Sequence, residues 1–192
     1  MASGFDRNHS GAPSSAEEEW DSCGLLILLV RHRDIRSRMG TTVTRGVFSH
    51  ASLGFESDPE TFYSFAYKGF RVENTGFLVD RTPDARCRIY RIPCSGKEEA
   101  SARKLVSSFL EMRSSLKYNV LGLILASFRI PLARRNRFFC SQFVASVLNQ
   151  ARGIGTKRWA RTCLPDELVG IAPSVLLFDG VARDLPAPFA LA

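Results

Sequence analysis

The amino-acid sequence predicts an α+β fold, and three observations carry that expectation. Short apolar or alternating runs at residues 25–30, 47–55, 61–67 and 86–92 have the length and patterning of strands. Apolar residues recur at helical spacing from Ala102 to Leu116, behind a serine (Ser95) followed three residues later by a glutamate (Glu98). A second helical stripe, with Phe143 and Val147 four apart and Val144 and Leu148 likewise, follows directly behind Cys140. The 192 residues suit one domain, with 45% apolar and 23% charged side chains, ordinary values for a globular chain.

Taken in order, residues 1–21 are rich in Ser, Gly, Pro and Glu and predict a disordered tail, residues 22–185 a single domain, and residues 186–192 a loose end. Residues 25–30 form a continuous apolar run, as expected of a strand buried on both faces. Residues 34–46 read as a polar, basic loop. In the second strand Val47, Ala51, Leu53 and Phe55 share one face and Phe48, His50, Ser52 and Gly54 the other. The second face is mostly small or polar, so a helix carrying a cysteine is expected to lie close against it. A turn at 57–60 leads into an aromatic third strand, making an antiparallel hairpin, and residues 68–85 read mostly as loop. The strand at 86–92 precedes the capped helix, which is expected to run to about Leu116. An apolar segment at 118–125 stops before Pro131, and the basic turn 134–137 delivers the chain to Cys140. The helix behind Cys140 ends near Gly153. A basic linker, a helix start at Leu164-Pro165-Asp166-Glu167-Leu168 and an edge strand at 175–181 complete the reading.

Composition narrows function. The net charge of +7 and pI near 9.5 suit a negatively charged partner, with weak contact to anionic surfaces through the arginines at 31–45 and 134–137. No recognition-helix or RNA-binding pattern accompanies the charge, so no specific nucleic acid is predicted. The five cysteines are odd in number and none has C-x-x-C spacing, which argues against a disulfide framework or a paired-thiol zinc site. No cofactor is called for. A signal-peptide pattern is missing and no apolar run reaches the ~20 residues of a membrane span, so a cytoplasmic location is expected.

Buried cysteines are mostly small hydrophobes without chemistry. Cys140 stands apart because it opens a helix, where unpaired N–H groups and the helix dipole favour the thiolate. A thiol nucleophile needs a base, and the chain has three histidines. His9 lies in the tail and His32 in a charged strand end, which leaves His50, in a core strand, by elimination.

The stretches Ser49-His50-Ala51-Ser52-Leu53, Tyr63-Ser64-Phe65, Tyr118-Asn119-Val120-Leu121-Gly122-Leu123 and Phe138-Phe139-Cys140-Ser141-Gln142-Phe143-Val144-Ala145 resemble the circularly permuted NlpC/P60 papain-like superfamily. That superfamily includes YiiX/YaeF-like amidases and, more distantly, lecithin retinol acyltransferase-like proteins. The likeness runs from about Gly24 to about Val181, and Leu164-Pro165-Asp166-Glu167-Leu168 resembles its proline-aspartate segment. It implies a permuted papain-like antiparallel sheet with the cysteine helix packed on it, Cys140 as nucleophile and His50 as general base. It also implies a third polar residue that orients the histidine, expected from the next strand. Ser64 is the candidate, with Tyr63 the alternative; Tyr118 is a further contributor, and the Cys140 amide is part of an oxyanion hole. The expected activity is thiol-dependent hydrolysis of an amide, peptide-like substrate. The alternatives are acyl transfer or hydrolysis on lipids and a non-catalytic binding module of the same fold.

Overall fold

The computed structural model describes residues 23–31, 46–170, 173–186 and 189. The expected N-terminal tail, nearly all of the loop at 34–46, most of the C-terminal end, His9 and His32 lie outside the described residues. Within them the chain has an α+β fold with a six-strand antiparallel sheet and five α-helices. The elements in order are β1 (Cys23–Arg31), β2 (His50–Phe55), β3 (Asp58–Ala66), β4 (Gly69–Asn74), α1 (Thr75–Arg81), β5 (Arg86–Cys94) and α2 (Gly96–Glu111). They continue with β6 (Lys117–Tyr118), α3 (Val120–Ser127), β7 (Arg137–Phe138), α4 (Cys140–Arg152), α5 (Lys157–Thr162) and β8 (Val175–Val181).

The sheet order is β4-β3-β2-β1-β5-β8. β1 sits inside it, and every residue from 24 to 30 is buried, which is why its sequence is continuously apolar instead of alternating. One face, with Leu25, Ile27, Leu29, Ala51, Leu53, Phe55 and Phe65, packs against α2 and α4. The other, with Leu26, Leu28, Val30, Phe62 and Ile89, is covered by α1 and the turn holding Ala182 and Leu185. β6 and β7 form a separate two-residue parallel pair.

The local signals explain the helices. Ser95 Oγ accepts the Glu98 N–H while Glu98 Oε2 accepts the Ser95 N–H at 2.8 Å, a reciprocal cap that starts α2. Gly153 ends α4 in the left-handed region (φ 67°), a conformation that costs a residue without Cβ nothing. α4 buries Phe143, Val144, Val147 and Leu148, the stripe read from the sequence.

Several expectations are corrected. Residues 68–85 hold β4 and α1, because the turn at Tyr67-Lys68 forms a second hairpin and Asn74 caps α1 by accepting the Gly76 N–H at 2.8 Å. The turn between β2 and β3 is tighter than 57–60, and β3 begins at Asp58. α2 stops at Glu111, five residues early, and a 3-10 turn follows. The basic linker contains α5, capped by Thr156. The cysteine helix packs on the Ala51, Leu53 and Phe55 face of β2, not on the His50, Ser52 and Gly54 face. The space over Gly54 is taken by the Phe62 ring, which lies about 2.8 Å from where a Cβ would stand. An apolar helix stripe gains more by covering an apolar strand face than a polar one.

Candidate active site

The start of α4 is held by a small polar lattice. β7 runs parallel to β6, with Tyr118 beside Phe138, so the chain enters α4 next to Tyr118. Phe139 is the extended residue before the helix (φ −102°, ψ 166°) and Cys140 the first helical one. Gln142 Oε1 accepts the Phe139 N–H at 3.3 Å and the Asn119 side-chain N–H at 3.4 Å. Asn119 Oδ1 in turn caps α3 by accepting the Gly122 N–H at 3.1 Å. A Cβ on Gly122 would fall about 2.1 Å from Asn119 Nδ2, so only glycine lets this cap close. Asn119, Ser141 and Gln142 are all buried, and Ser141 Oγ donates to the Cys163 carbonyl at 2.8 Å.

His50 comes from the opposite side of the molecule's chain order, 90 residues earlier. Asp166 places it, because its carboxylate accepts the Val47 and Phe48 N–H groups, each at 3.3 Å, just before β2 begins. This gives the proline-aspartate segment a structural task. β2 pairs with β3 from Leu53 to Phe55, and this strand pairing does not extend back to His50, Ala51 and Ser52. Glu56 N–H donates to the Gly24 carbonyl on β1. Alternate residues of an antiparallel strand turn their N–H groups the same way, which leaves the Ala51 N–H pointing into the gap between β2 and β3. There it faces the Cys140 sulfur, and with the Ser141 N–H from the helix start it favours the thiolate.

His50 Nε2 lies 2.9 and 3.2 Å from the two oxygens of Glu73, on β4. Ser52 Oγ and the Arg71 guanidinium also donate to that carboxylate. Nε2 faces Glu73, and the imidazole also interacts with the Cys140 sulfur. Burial by itself would push the imidazole pKa down. The Glu73 charge and the hydrogen bonds of Cys140 and Glu73 outweigh burial and push it up to about 10. Burial would raise the Glu73 carboxyl, but the His50 charge and hydrogen bond, then Arg71 and Ser52, hold it well below the usual carboxylate range. Burial would likewise raise the Cys140 thiol. His50 and the Ala51 and Ser141 N–H groups reverse that and hold it below its ordinary value. Tyr118 is raised well above an ordinary phenol, by burial first and then by the charge of, and its hydrogen bond to, the Cys140 sulfur. The geometry therefore favours a thiolate–imidazolium pair over two neutral groups.

Cys87, Cys94 and Cys163 lack this setting. Burial, followed by neighbouring carboxylates, raises Cys87 to about 12 and Cys94 to about 11, and it raises Cys163 further. A cavity of about 430 Å³ opens on the far side of the pair, walled by His50 and Glu73 with Leu28, Val30, Phe62 and Phe77.

Of the residues singled out from sequence, Cys140, His50 and Tyr118 meet. Ser64 does not join them: its hydroxyl is fully buried with no hydrogen-bond partner, and Glu73 occupies the position beside His50. Tyr63 packs edge-on against Phe55 instead. Ser64 lies opposite Arg71 in the β3–β4 register, so it shares a face with Arg71 and Glu73. Glu73 must cross β3 to reach His50 on β2, and the small Ser64 side chain leaves room for it. Ser64→Ala is accordingly expected to leave Cys140 alkylation within about twofold and stability unchanged or about 1 kcal/mol higher, since an unpaired hydroxyl is removed. Ser64→Leu displaces Glu73 and slows alkylation. Site-resolved mass spectrometry and urea unfolding read both.

Glu73 was missed because residues 68–85 lack a strong strand pattern. The signal was there in Phe70 and Val72 alternating with Arg71 and Glu73 directly after a short turn. Against known proteins, the chain matches no family model and no curated protein sequence.

Proposed function

We propose that this chain is a thiol-dependent hydrolase of the permuted papain-like kind, acting on an amide through an acyl-enzyme. The observation that carries the reading is the convergence of Cys140, His50 and Glu73 from α4, β2 and β4, with His50 held to Glu73 at 2.9 Å and acting on the Cys140 sulfur. In this reading the Cys140 thiolate attacks the substrate carbonyl carbon and a C–S bond forms. The oxyanion takes hydrogen bonds from the N–H groups at the start of α4, with the Tyr118 hydroxyl alongside. His50, protonated, gives its proton to the leaving amine as the C–N bond breaks. Water then attacks the thioester, His50 takes its proton, and the C–S bond breaks to release the carboxylic acid and restore the Cys140 thiolate beside protonated His50. Glu73 holds the imidazole orientation and stabilises its charged state. Esters, including lipid esters, are the second substrate class.

The test is intact-protein mass spectrometry after mixing with p-nitrophenyl esters of graded chain length and aminoacyl p-nitroanilides. The expected result is a transient acyl adduct mapping to the Cys140 peptide, with release of p-nitrophenol or p-nitroaniline, and neither in Cys140→Ala. Turnover that survives in Cys140→Ala overturns the mechanism, and a wild-type chain that forms no adduct with any member of either series leaves the binding-module reading in its place.

A further inference from the structure

From residue 112 to residue 165 the chain has no aspartate or glutamate, but it carries ten lysines and arginines. This stretch alone exceeds the whole chain's net charge of +7. It builds β6, α3, β7, α4 and α5, the half of the molecule that holds Cys140. Inside it, α3 and the following turn make an excursion that leaves at Tyr118 and returns at Arg137, its two ends clamped by the β6–β7 pair.

α3 buries only Gly122 and Ala126. Val120, Leu121 and Ile124 are exposed on its other side, and Phe128 (71% exposed) and Ile130 extend the same apolar strip. Residues 120, 124 and 128 are each four apart, so they line one side of the helix. Lys117, Arg134 and Arg135 are exposed at the base of the excursion and Arg137 is half-buried there. None of these four makes an ion pair among the described residues. Arginines elsewhere do: Arg86 and Arg88 hold Asp179, Arg91 holds Glu56 and Arg103 holds Glu99. An aliphatic strip rimmed by uncompensated cations is complementary to the surface of an anionic bilayer, whose acyl boundary takes the strip and whose headgroups take the arginines. A second copy of the chain is disfavoured as occupant, because docking two such faces would bring two acid-free cationic rims together.

We propose that the exposed face of α3, with Phe128 and Ile130, docks on an anionic lipid surface, with Lys117, Arg134, Arg135 and Arg137 at the headgroups. This surface does not depend on Cys140 being a nucleophile. It would bring the Cys140 side of the molecule next to the bilayer, since α3 begins one residue after Tyr118.

The experiment is vesicle flotation of the full chain with phosphatidylcholine alone and with about 30% phosphatidylglycerol, at about 50 mM and about 500 mM salt. Flotation is expected with the anionic vesicles at low salt, little with phosphatidylcholine alone, and a large loss at high salt. The double variant Arg134→Gln/Arg135→Gln lowers partitioning about 30-fold. Ile124→Ser/Phe128→Ser lowers it at least tenfold. All four positions are exposed, and circular dichroism with unchanged Cys140 alkylation verifies the fold. Phe128→Trp adds a probe whose emission shifts to the blue on anionic vesicles. Failure of the wild-type chain to float at low salt overturns the proposal, as does flotation that both double variants retain. A dimer seen by sedimentation equilibrium and dissolved by Ile124→Ser/Phe128→Ser would assign the face to self-association and overturn it too.

Discussion

Replacing Glu73 with glutamine is expected to slow iodoacetamide alkylation of Cys140 by roughly 10- to 100-fold at about pH 6. The thiol reacts as its thiolate, and the thiolate at that pH depends on a protonated His50 beside it. Glu73 supplies the charge that keeps His50 protonated up to about pH 10. Glutamine keeps the shape and an acceptor but removes the charge, so the imidazole pKa falls and the thiol pKa rises. His50→Ala moves Cys140 further in the same direction, and in both variants the rate recovers only at more alkaline pH, because burial then raises the thiol unopposed by the imidazolium. Cys87, Cys94 and Cys163, which burial pushes upward, serve as internal controls in the same digest. Equal alkylation of Cys140 in wild type and Glu73→Gln at pH 6 would sink the ion-pair account.

The same pair predicts how stability follows pH. His50 is raised above its ordinary 6.5, so its contribution is complete below 6.5 and is lost as pH rises through about 10. Cys140 is lowered below its ordinary 9.0, so its contribution is present above 9.0 and lost as pH falls through its folded value. Between the two the folded chain keeps one proton and gives up another, and the slopes offset. In Cys140→Ala only the His50 slope survives. Urea midpoints should therefore change less between about pH 6.5 and 9 in wild type than in the variant, where they fall across that window.

Phe143→Ala is expected to carry the largest stability loss, about 3–5 kcal/mol. Phe143 is fully buried at the centre of an aromatic cluster, with ring centroids 5.7 Å from Phe65, 5.3 Å from Phe70 and 5.0 Å from Phe109. Phe138 joins through Phe65 and Phe109. The cluster ties α2, β3, β4, β7 and α4 together, so truncation opens a cavity and removes two edge-to-face contacts and one tilted contact at once. A midpoint drop on the order of 10 °C follows for a chain of this size, read by calorimetry. Phe77→Ala is the control: Phe77 is over half exposed under Arg81, and its loss should cost about 1 kcal/mol or less. Comparable losses in the two variants would mean that the cluster is not the core.

What the amino-acid sequence by itself determined is local. Periodicity placed β1, the helix behind Cys140 and the strand at 86–92, because a buried face repeats with the period of its element. Ser95 with Glu98 announced α2, because a cap is a contact between residues three apart. Cys140 and His50 were found because a helix start changes a thiol's acidity and few histidines were available to serve it. Tertiary structure decided the rest. Glu73 enters the site across β3, and its part depends on a β3–β4 register and on the size of Ser64, neither of which leaves a trace within a few residues of Glu73. The helix face of β2 is set by apolar contact with Phe143 and Val144, not by the space that Ser52 and Gly54 leave on the other face. The gap between β2 and β3, which turns the Ala51 N–H toward sulfur, exists because pairing stops at Leu53. A thiol's pKa is set by every charge and donor within a few ångströms, and folding alone brings those groups from positions 50, 51, 73, 118 and 141 to one sulfur atom.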